Sequence, residues 1–205
     1  MKLMKVMLLA AVVLTSASAA YAAGTMTFGL GGGITSPTGD FGKGSKMGFN
    51  GGVYGDYWIK PDYAFGVDIA GNFLKAKDGV LAKTIAYPNP ELKTTLIYFG
   101  AHGVWAIPMQ DAKIQPWITY GAGIYNFSSK LTGTAANVTN TQSKFGFNGG
   151  VGADIKASPV AKVGADFKYH YIMNAIQSGT SSSDKKAANY FTAGVHVTFS
   201  TNGGK

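Results

Sequence analysis

Apolar and polar residues alternate one by one through eight separate segments of this chain. A period of two places alternate side chains on opposite faces of a β-strand, whereas a helix needs a period near 3.6. In the last segment, for example, Val195 and Val197 share one face while His196 lies on the other. The pattern therefore predicts eight strands. They occupy residues 25–34, 46–59, 63–75, 94–107, 114–127, 144–156, 160–172 and 188–199.

The connections between these segments alternate in length. Short turns fall at 60–62, 108–113 and 157–159, and longer loops rich in Gly, Ser, Thr, Asn and Lys fall at 35–45, 76–93, 128–143 and 173–187. Strands joined by short turns pair as antiparallel neighbours. Because the first and last connections are both long, the two termini are expected at the end of the short turns. The predicted fold class is all-β, an eight-stranded antiparallel up-and-down β-barrel.

The composition excludes several functions. The chain has 205 residues, 18 basic against 10 acidic, and all 18 basic residues are lysine. Arginine makes most specific base contacts, so we expect no nucleic-acid partner. There is no cysteine, which excludes disulfides, cysteine-ligated zinc and thiol catalysis. No phosphate-binding loop motif follows the glycine run at 31–33, and we expect no cofactor.

The first 22 residues read as a secretory signal peptide. Lys2 and Lys5 precede an apolar run at 6–14, and Ala20-Tyr21-Ala22 fits a signal-peptidase site. The run is too short to span a membrane as a helix. We therefore predict a signal peptide at 1–22, a barrel at 23–199 and a tail at 200–205.

Alternation alone does not say which face points inward. A soluble barrel would bury its apolar face, and a membrane barrel would bury its polar face. The polar face here is rich in glycine, which suits a narrow lumen, and segments of 10–14 residues suit a tilted membrane span of about 9–11. Ring residues near the strand ends suggest interfacial girdles. Those near the short turns are Tyr57, Trp58, Tyr63, Trp105 and Trp117, and those near the loops are Tyr98, Phe127, Tyr169 and Tyr171. Parity places Trp58 and Trp117 inward, where they would fill the barrel mouth instead.

The last strand runs from Phe191 to Phe199, with apolar residues alternating back from the final aromatic ring. With the strand count and the loop asymmetry, it resembles the small eight-stranded outer-membrane β-barrel family of Gram-negative bacteria, of the OmpA, OmpX and OmpW type. The resemblance implies location in the bacterial outer membrane and assembly by the outer-membrane insertion machinery. It also implies an assembly signal formed by Phe191, Val195, Val197 and Phe199. The chain departs from the family by continuing through residues 200–205.

An internal repeat relates two hairpins. Gly48-Phe-Asn-Gly-Gly-Val53 recurs as Gly146-Phe-Asn-Gly-Gly-Val151, an offset of 98 residues. The same offset maps Asp56 to Asp154 and Asp68 to Asp166. Hairpins four strands apart stand opposite each other in an eight-stranded barrel, so the aspartates would face one another across the lumen. Chance similarity between glycine-rich hairpins is the alternative.

The predicted lumen charge cluster contains these aspartates and three lysines: Asp56, Asp68, Asp154, Asp166, Lys156, Lys162 and Lys168. Unpaired charge in so narrow an interior is costly, so carboxylates and ammonium groups are expected to pair as a salt-bridged plug. A charge-gated narrow pore is the alternative. His102, His170 and His196 also face the lumen. We expect them at different depths, each hydrogen-bonded there rather than together holding a metal.

The leading functional hypothesis is a structural or surface-interaction protein that acts through its four longer loops. A narrow passive channel and a lipid-modifying enzyme are the alternatives. Against an enzyme, Ser128 and Ser129 have no histidine on the lipid face to activate them. Loop lysines are expected to contact anionic lipopolysaccharide, with ordinary solvated charge as the alternative. They are Lys43, Lys77, Lys83, Lys93, Lys130, Lys185 and Lys186. The loop partner is unknown from the sequence.

Overall fold

The structure is a computed structural model that describes residues 24–77, 91–109, 113–132, 138–177 and 185–201. The predicted signal peptide, much of the predicted loop at 76–93 and the last four residues lie outside the described residues.

Eight strands close into a barrel in simple chain order. They are β1 (Thr25–Thr38), β2 (Gly48–Lys60), β3 (Tyr63–Lys75), β4 (Glu91–Ala106), β5 (Ile114–Thr132), β6 (Val138–Lys156), β7 (Ala161–Gln177) and β8 (Lys185–Ser200). Each strand pairs antiparallel with its neighbours in sequence, and β1 pairs with β8 from Thr27↔Ser200 to Thr38↔Asn189. Closure satisfies the backbone hydrogen bonds that an open sheet leaves unpaired at its edges. The predicted fold class is confirmed.

One short helix, α1 (Gly39–Gly44), lies in the connection between β1 and β2. That connection, together with those leading out of β3, β5 and β7, defines the long-loop end of the barrel. The turns after β2, β4 and β6 define the short-turn end. No helix in the described part of the chain has the length and apolar character to cross a membrane.

Strands at the long-loop end continue further than predicted. The β5–β6 ladder extends to Leu131↔Val138, so the predicted loop at 128–143 is mostly strand. β7 likewise continues to Gln177, which pairs with Lys185. In β5 and β6 the hydrophobic alternation stops because both faces of the extension carry polar residues, and in β7 it is interrupted by the register shift between Ile172 and Ile176. Backbone pairing needs no apolar face, and the ladder therefore continues beyond the pattern that predicts it.

The apolar face of the barrel points outward. Phe49 is 73% exposed and Val195 is 65% exposed, whereas Asp56 is 6% exposed in the interior. The exposed side chains include phenylalanine, isoleucine or valine from every strand and form a continuous apolar belt. A belt of this kind is the surface that a membrane barrel presents to lipid. The membrane interpretation of the alternation is therefore the correct one.

Two predicted girdle residues lie inside the barrel instead. Tyr98 is 1% exposed and Phe127 is 6% exposed. Both belong to a buried cluster near the long-loop end that also contains Leu96, Tyr125, Ile172, Ala175, Ala188 and Tyr190. Position near a strand end does not decide the direction of a ring; parity along the strand does, and it directs both rings inward. The interior thus has an aromatic layer near the long-loop end and a charged layer below it.

Candidate functional site

The charged layer contains a three-residue cluster on β2, β3 and β4. His102 Nε2 lies 2.8 Å from Asp56 Oδ1, and His102 Nδ1 lies 3.2 Å from Asp68 Oδ1. The strand register explains the meeting, since Gly66 pairs with Asp56 on one side and with His102 on the other. Glycine leaves the space between them open, so the imidazole reaches across β3 to the carboxylate on β2.

A second cluster on β6, β7 and β8 has the same construction. His196 Nε2 lies 2.8 Å from Asp154 Oδ1, and His196 Nδ1 lies 3.1 Å from Asp166 Oδ1. Gly164 pairs with Asp154 and with His196. The internal repeat in the sequence thus corresponds to two copies of one hydrogen-bonded arrangement, which we call the Asp–His–Asp clusters.

The hydrogen-bond geometry of each Asp–His–Asp cluster determines how many protons the cluster holds, and therefore its charge. An ionised carboxylate only accepts hydrogen bonds, and a neutral imidazole carries one donor nitrogen and one acceptor nitrogen. Because both ring nitrogens face a carboxylate, both contacts are hydrogen bonds only when the cluster holds two protons. Whichever atom carries the second proton, two carboxyl groups and one imidazole then have one net negative charge.

The lysines compensate this charge without pairing directly. Among the described residues, the ion-pair partners of the four aspartates are His102 and His196, which differs from the predicted pairing with lysine. Lys162 and Lys168 line the same small cavity as both histidines. Two positive charges therefore stand beside two clusters of one negative charge each, and the charges of this layer balance. Lys156 lies at the short-turn mouth and is exposed.

Polar side chains complete the hydrogen bonding around the clusters. Trp117 Nε1 donates to Asp154 Oδ1 at 3.0 Å, and Thr27 Oγ1 donates to Asp56 Oδ2 at 3.3 Å. Trp58 Nε1 donates to Thr27 Oγ1 at 3.0 Å, and its ring lies 6.0 Å from Lys162 Nζ. Both tryptophans therefore point into the lumen at the short-turn side, as parity predicts.

His170 belongs to the aromatic layer. Its ring stacks on Tyr190 with centroids 4.3 Å apart, and its Nδ1 lies 3.0 Å from the Tyr125 hydroxyl. Asn148 joins the same network by donating from Nδ2 to the Tyr98 hydroxyl at 2.8 Å. The predicted lumen hydrogen bonds of the three histidines are present. The predicted separation in depth is wrong for His102 and His196, which line one cavity.

The cluster histidines have a sequence signal that the repeat analysis missed. Gly100-Ala-His102 on β4 and Gly194-Val-His196 on β8 share the pattern Gly-x-His, but they are 94 residues apart. The offset of 98 residues carries His102 to Ser200 instead. When the two repeats are aligned, the connection between β7 and β8 is four residues shorter than the connection between β3 and β4. A repeat search that allows this gap pairs the two histidines.

The described part of the chain has no group of three or more His, Asp and Glu side chains arranged to hold a metal ion. The cavities within the charged layer are small. One of about 60 Å³ lies between the clusters, and one of about 80 Å³ lies towards His170. The short-turn mouth opens into a larger cleft of about 920 Å³ that Trp58, Lys156 and Lys162 help to line.

The proposed assembly-signal residues lie on the outward face of β8. Val195 and Phe199 are exposed, and Phe191 and Val197 are half-buried. Phe191 contacts Phe167 and Tyr169, with ring centroids 5.1 and 4.9 Å away. The four side chains are therefore available on the outer surface of the closing strand.

Known proteins support the outer-membrane interpretation of this fold. Residues 7–199 match the family model described as the outer membrane protein beta-barrel domain. No curated protein sequence matches the chain. Among solved structures, Neisserial surface protein A is 18% identical, with 86% of this chain and 97% of that chain covered and a TM-score of 0.55. A major outer membrane protein from Thermus thermophilus is 12% identical, with 87% and 99% covered and a TM-score of 0.55. Ail, the attachment invasion locus protein of Yersinia pestis, is 16% identical, with 86% and 99% covered and a TM-score of 0.50.

Replacement of Gly164, the glycine between Asp154 and His196, tests the geometry of the second cluster directly. A Cβ at residue 164 would lie 2.3 Å from Asp154 Oδ1 and 2.5 Å from His196 Nε2, too close for either contact to remain. We expect Gly164→Ala to lower the free energy of unfolding by about 1–3 kcal/mol, measured by reversible urea unfolding in lipid vesicles. Gly149→Ala is the matched control on β6, where the nearest atom is a backbone oxygen at 3.7 Å. Equal effects of the two substitutions would contradict the packing described here.

Proposed function

The chain belongs to the outer membrane protein beta-barrel domain family, and from this we propose that it is a non-conducting barrel whose long-loop end serves as an interaction surface. Membership of the family implies the bacterial outer membrane as its location. The proposal is non-enzymatic. It separates the closed interior, which stabilises the scaffold, from the exposed end, which meets partners outside the cell.

The observation that carries the proposal is the filled lumen. Tyr98, Tyr125 and Tyr190 are each at most 1% exposed although they point into the barrel. The rings of Tyr98 and Tyr125 lie 4.6 Å apart, and His170 packs against both. An eight-stranded barrel is just wide enough for its side chains to fill it. A layer of three buried tyrosines across this width supports a lumen closed to ions.

The α1 connection at the long-loop end is held in place by contacts with β8 and with the aromatic layer. The Asp40 carboxylate of α1 accepts hydrogen bonds from Lys43 Nζ at 2.5 Å and from Lys186 Nζ of β8 at 3.0 Å. These bonds hold the pKa of Asp40 below its usual value of 3.8, so the tether is ionic at neutral pH. Phe41 packs edge-on against Phe127 in the aromatic layer. A surface fixed to the barrel loses less conformational entropy on binding than a free loop.

Two fold relatives carry names that describe them as a surface protein and as an attachment invasion protein. Those descriptions belong to the relatives. For this chain, a surface-interaction function is supported by the closed lumen together with the extended β5–β6 hairpin, whose strands pair out to Leu131↔Val138.

The positions of the histidines favour a non-enzymatic function. The chain has three histidines, and His102, His170 and His196 all bond to other side chains within the lumen. Ser128 lies on the outward parity of β5. The barrel wall therefore separates its hydroxyl from any imidazole that would activate it as a nucleophile.

Export and orientation complete the proposal. The predicted signal peptide at 1–22 directs export, and the last strand directs assembly in the outer membrane. The short-turn end and both termini of the barrel then lie in the periplasm, and the long-loop end faces outward.

Conductance in a planar lipid bilayer tests closure of the lumen. We expect the refolded protein, with heat-dependent gel mobility confirming the barrel, to give no single-channel steps. The double variant Asp56→Asn/Asp154→Asn should be equally silent, because the aromatic layer closes the barrel independently of the clusters. Tyr98→Gly is the control that opens this layer and shows that a pore would be detected. Reproducible wild-type steps that change in the aspartate variant would establish a charge-gated pore instead.

Thiol labelling of intact cells tests the orientation. The protein has no cysteine of its own, so a single introduced cysteine reports one position without background. We expect a membrane-impermeant maleimide to label Lys43→Cys in α1, and to label Ala157→Cys in the β6–β7 turn only after the outer membrane is permeabilised. The reverse pattern would place the long-loop end in the periplasm and refute the proposed surface.

A further inference from the structure

Three lysines form a row across neighbouring strands near the long-loop end. Lys75 on β3 pairs directly with Lys93 on β4, and Lys93 pairs with Lys130 on β5. All three have the outward parity of their strands, the same as the exposed Phe73, and all three are exposed. We call Lys75, Lys93 and Lys130 the lysine row.

A row of this kind is unfavourable without a counter-charge. Like charges directly opposite on neighbouring strands destabilise a sheet. Glu91 supplies one negative charge, with its carboxylate oxygens 3.2 Å from Lys75 Nζ and 3.2 Å from Lys93 Nζ. A carboxylate held between two ammonium groups stays ionised at neutral pH, because both neighbours favour its charged form. Glu91 therefore compensates one of the three positive charges of the lysine row, and two remain.

On β4, β5 and β6, the outer surface below the row changes from polar to apolar in register, whereas β3 carries the exposed Phe73 one step below Lys75. One step below the lysines, Thr95, Ser128 and Thr141 face outward in one line across β4, β5 and β6. The next line contains Ile97, Asn126 and Ser143, and Asn126 Nδ2 donates to Ser143 Oγ at 3.0 Å. The line after that contains Phe99, Ile124 and Phe145, which are all exposed.

From this order of charge, hydroxyl and apolar surface, we propose that the outward face of β3–β6 at the long-loop end binds a phosphorylated, multiply acylated glycolipid. Its phosphates contact the lysine row, and its acyl chains lie on Phe99, Ile124 and Phe145. Its sugar hydroxyls contact the polar side chains of the two lines between them, which are Thr95, Ser128, Thr141, Asn126 and Ser143. The inference rests on the proposed orientation, which places this face in the outer leaflet. Lipopolysaccharide, through its lipid A part, is the ligand of this chemistry.

The spacing of the three levels supports a glycolipid over a simpler anion. From Lys93 to Phe99 the chain advances six residues, about 20 Å along the strand at 3.3–3.4 Å per residue. Free phosphate would use only the lysine row. A glycerophospholipid would bring acyl chains and one phosphate, but no sugar to pair with the hydroxyl and amide groups of the two lines below the lysine row.

Binding measurements in detergent test the site without depending on orientation or conductance. The refolded wild type is titrated by isothermal calorimetry with bisphosphorylated lipid A in mixed micelles, and in parallel with dephosphorylated lipid A, phosphatidylglycerol and inorganic phosphate. The test variant is Lys93→Gln/Lys130→Gln. The matched control is Lys60→Gln/Lys113→Gln, which removes two exposed lysines at the short-turn end. Heat-dependent gel mobility confirms that each variant is folded.

We expect the test variant to bind bisphosphorylated lipid A about tenfold or more weakly than wild type, since each lysine near a charged lipid surface adds substantially to binding. The control variant should bind like wild type, and raised salt should weaken wild-type binding. Equal binding by both variants would overturn the site. Phosphatidylglycerol or free phosphate binding as tightly as lipid A would show general anion attraction and overturn the glycolipid assignment. Neither outcome alters the conductance result, so failure of this site is distinguishable from failure of the proposed function.

Discussion

The narrow interior of an eight-stranded barrel is the constraint on which the rest of this structure depends. Such a barrel has room for its own side chains and little else. Every inward polar group must therefore find its partner among the other inward groups. The two Asp–His–Asp clusters meet this requirement, because each imidazole uses one ring nitrogen on a carboxylate of the neighbouring strand and the other on a carboxylate two strands away. Gly66 and Gly164 make the reach possible by leaving the intervening space empty.

The division between inside and outside follows from the same constraint. Inside, two negatively charged clusters stand beside Lys162 and Lys168, and the charges of this layer are nearly balanced. On the outer face of the described strands, charge is confined to the rims, and the belt between them is apolar. Uncompensated charge at the rim is available for binding, and this is where both proposed surfaces lie.

Much of the fold follows from the sequence because β-strand alternation is a local signal. Period two predicts all eight strands and, with the glycine content, the outward direction of residues such as Phe49 and Val195. The strand ends were less predictable, since the β5–β6 ladder continues through polar residues that carry no hydrophobic pattern. Tyr98 shows the limit for single residues, because its place near a strand end suggests a girdle whereas its parity directs it inward.

The sequence predicts the aspartates of the site but not their partners. The internal repeat identifies Asp56, Asp68, Asp154 and Asp166, because those residues share one ungapped offset. It does not identify His102 and His196 as their partners, because the intervening connections differ in length. Which side chain lies against a carboxylate depends on how far each side chain extends across the paired strands. The register brings imidazoles to the aspartates and leaves Lys162 beside the Trp58 ring.

A double-mutant cycle on the first Asp–His–Asp cluster tests this account most directly. The unfolding free energy is measured in lipid vesicles for His102→Gln, Asp56→Asn and the pair, and the cycle is repeated with Asp154→Asn in place of Asp56→Asn. Asp154 is the repeat counterpart of Asp56, so the chemical change is identical. The account predicts a coupling of about 1.5–3 kcal/mol between His102 and Asp56, and a clearly smaller coupling between His102 and Asp154. Equal couplings, or none within the cluster, would contradict the claim that the charged layer of the lumen consists of two separate hydrogen-bonded clusters.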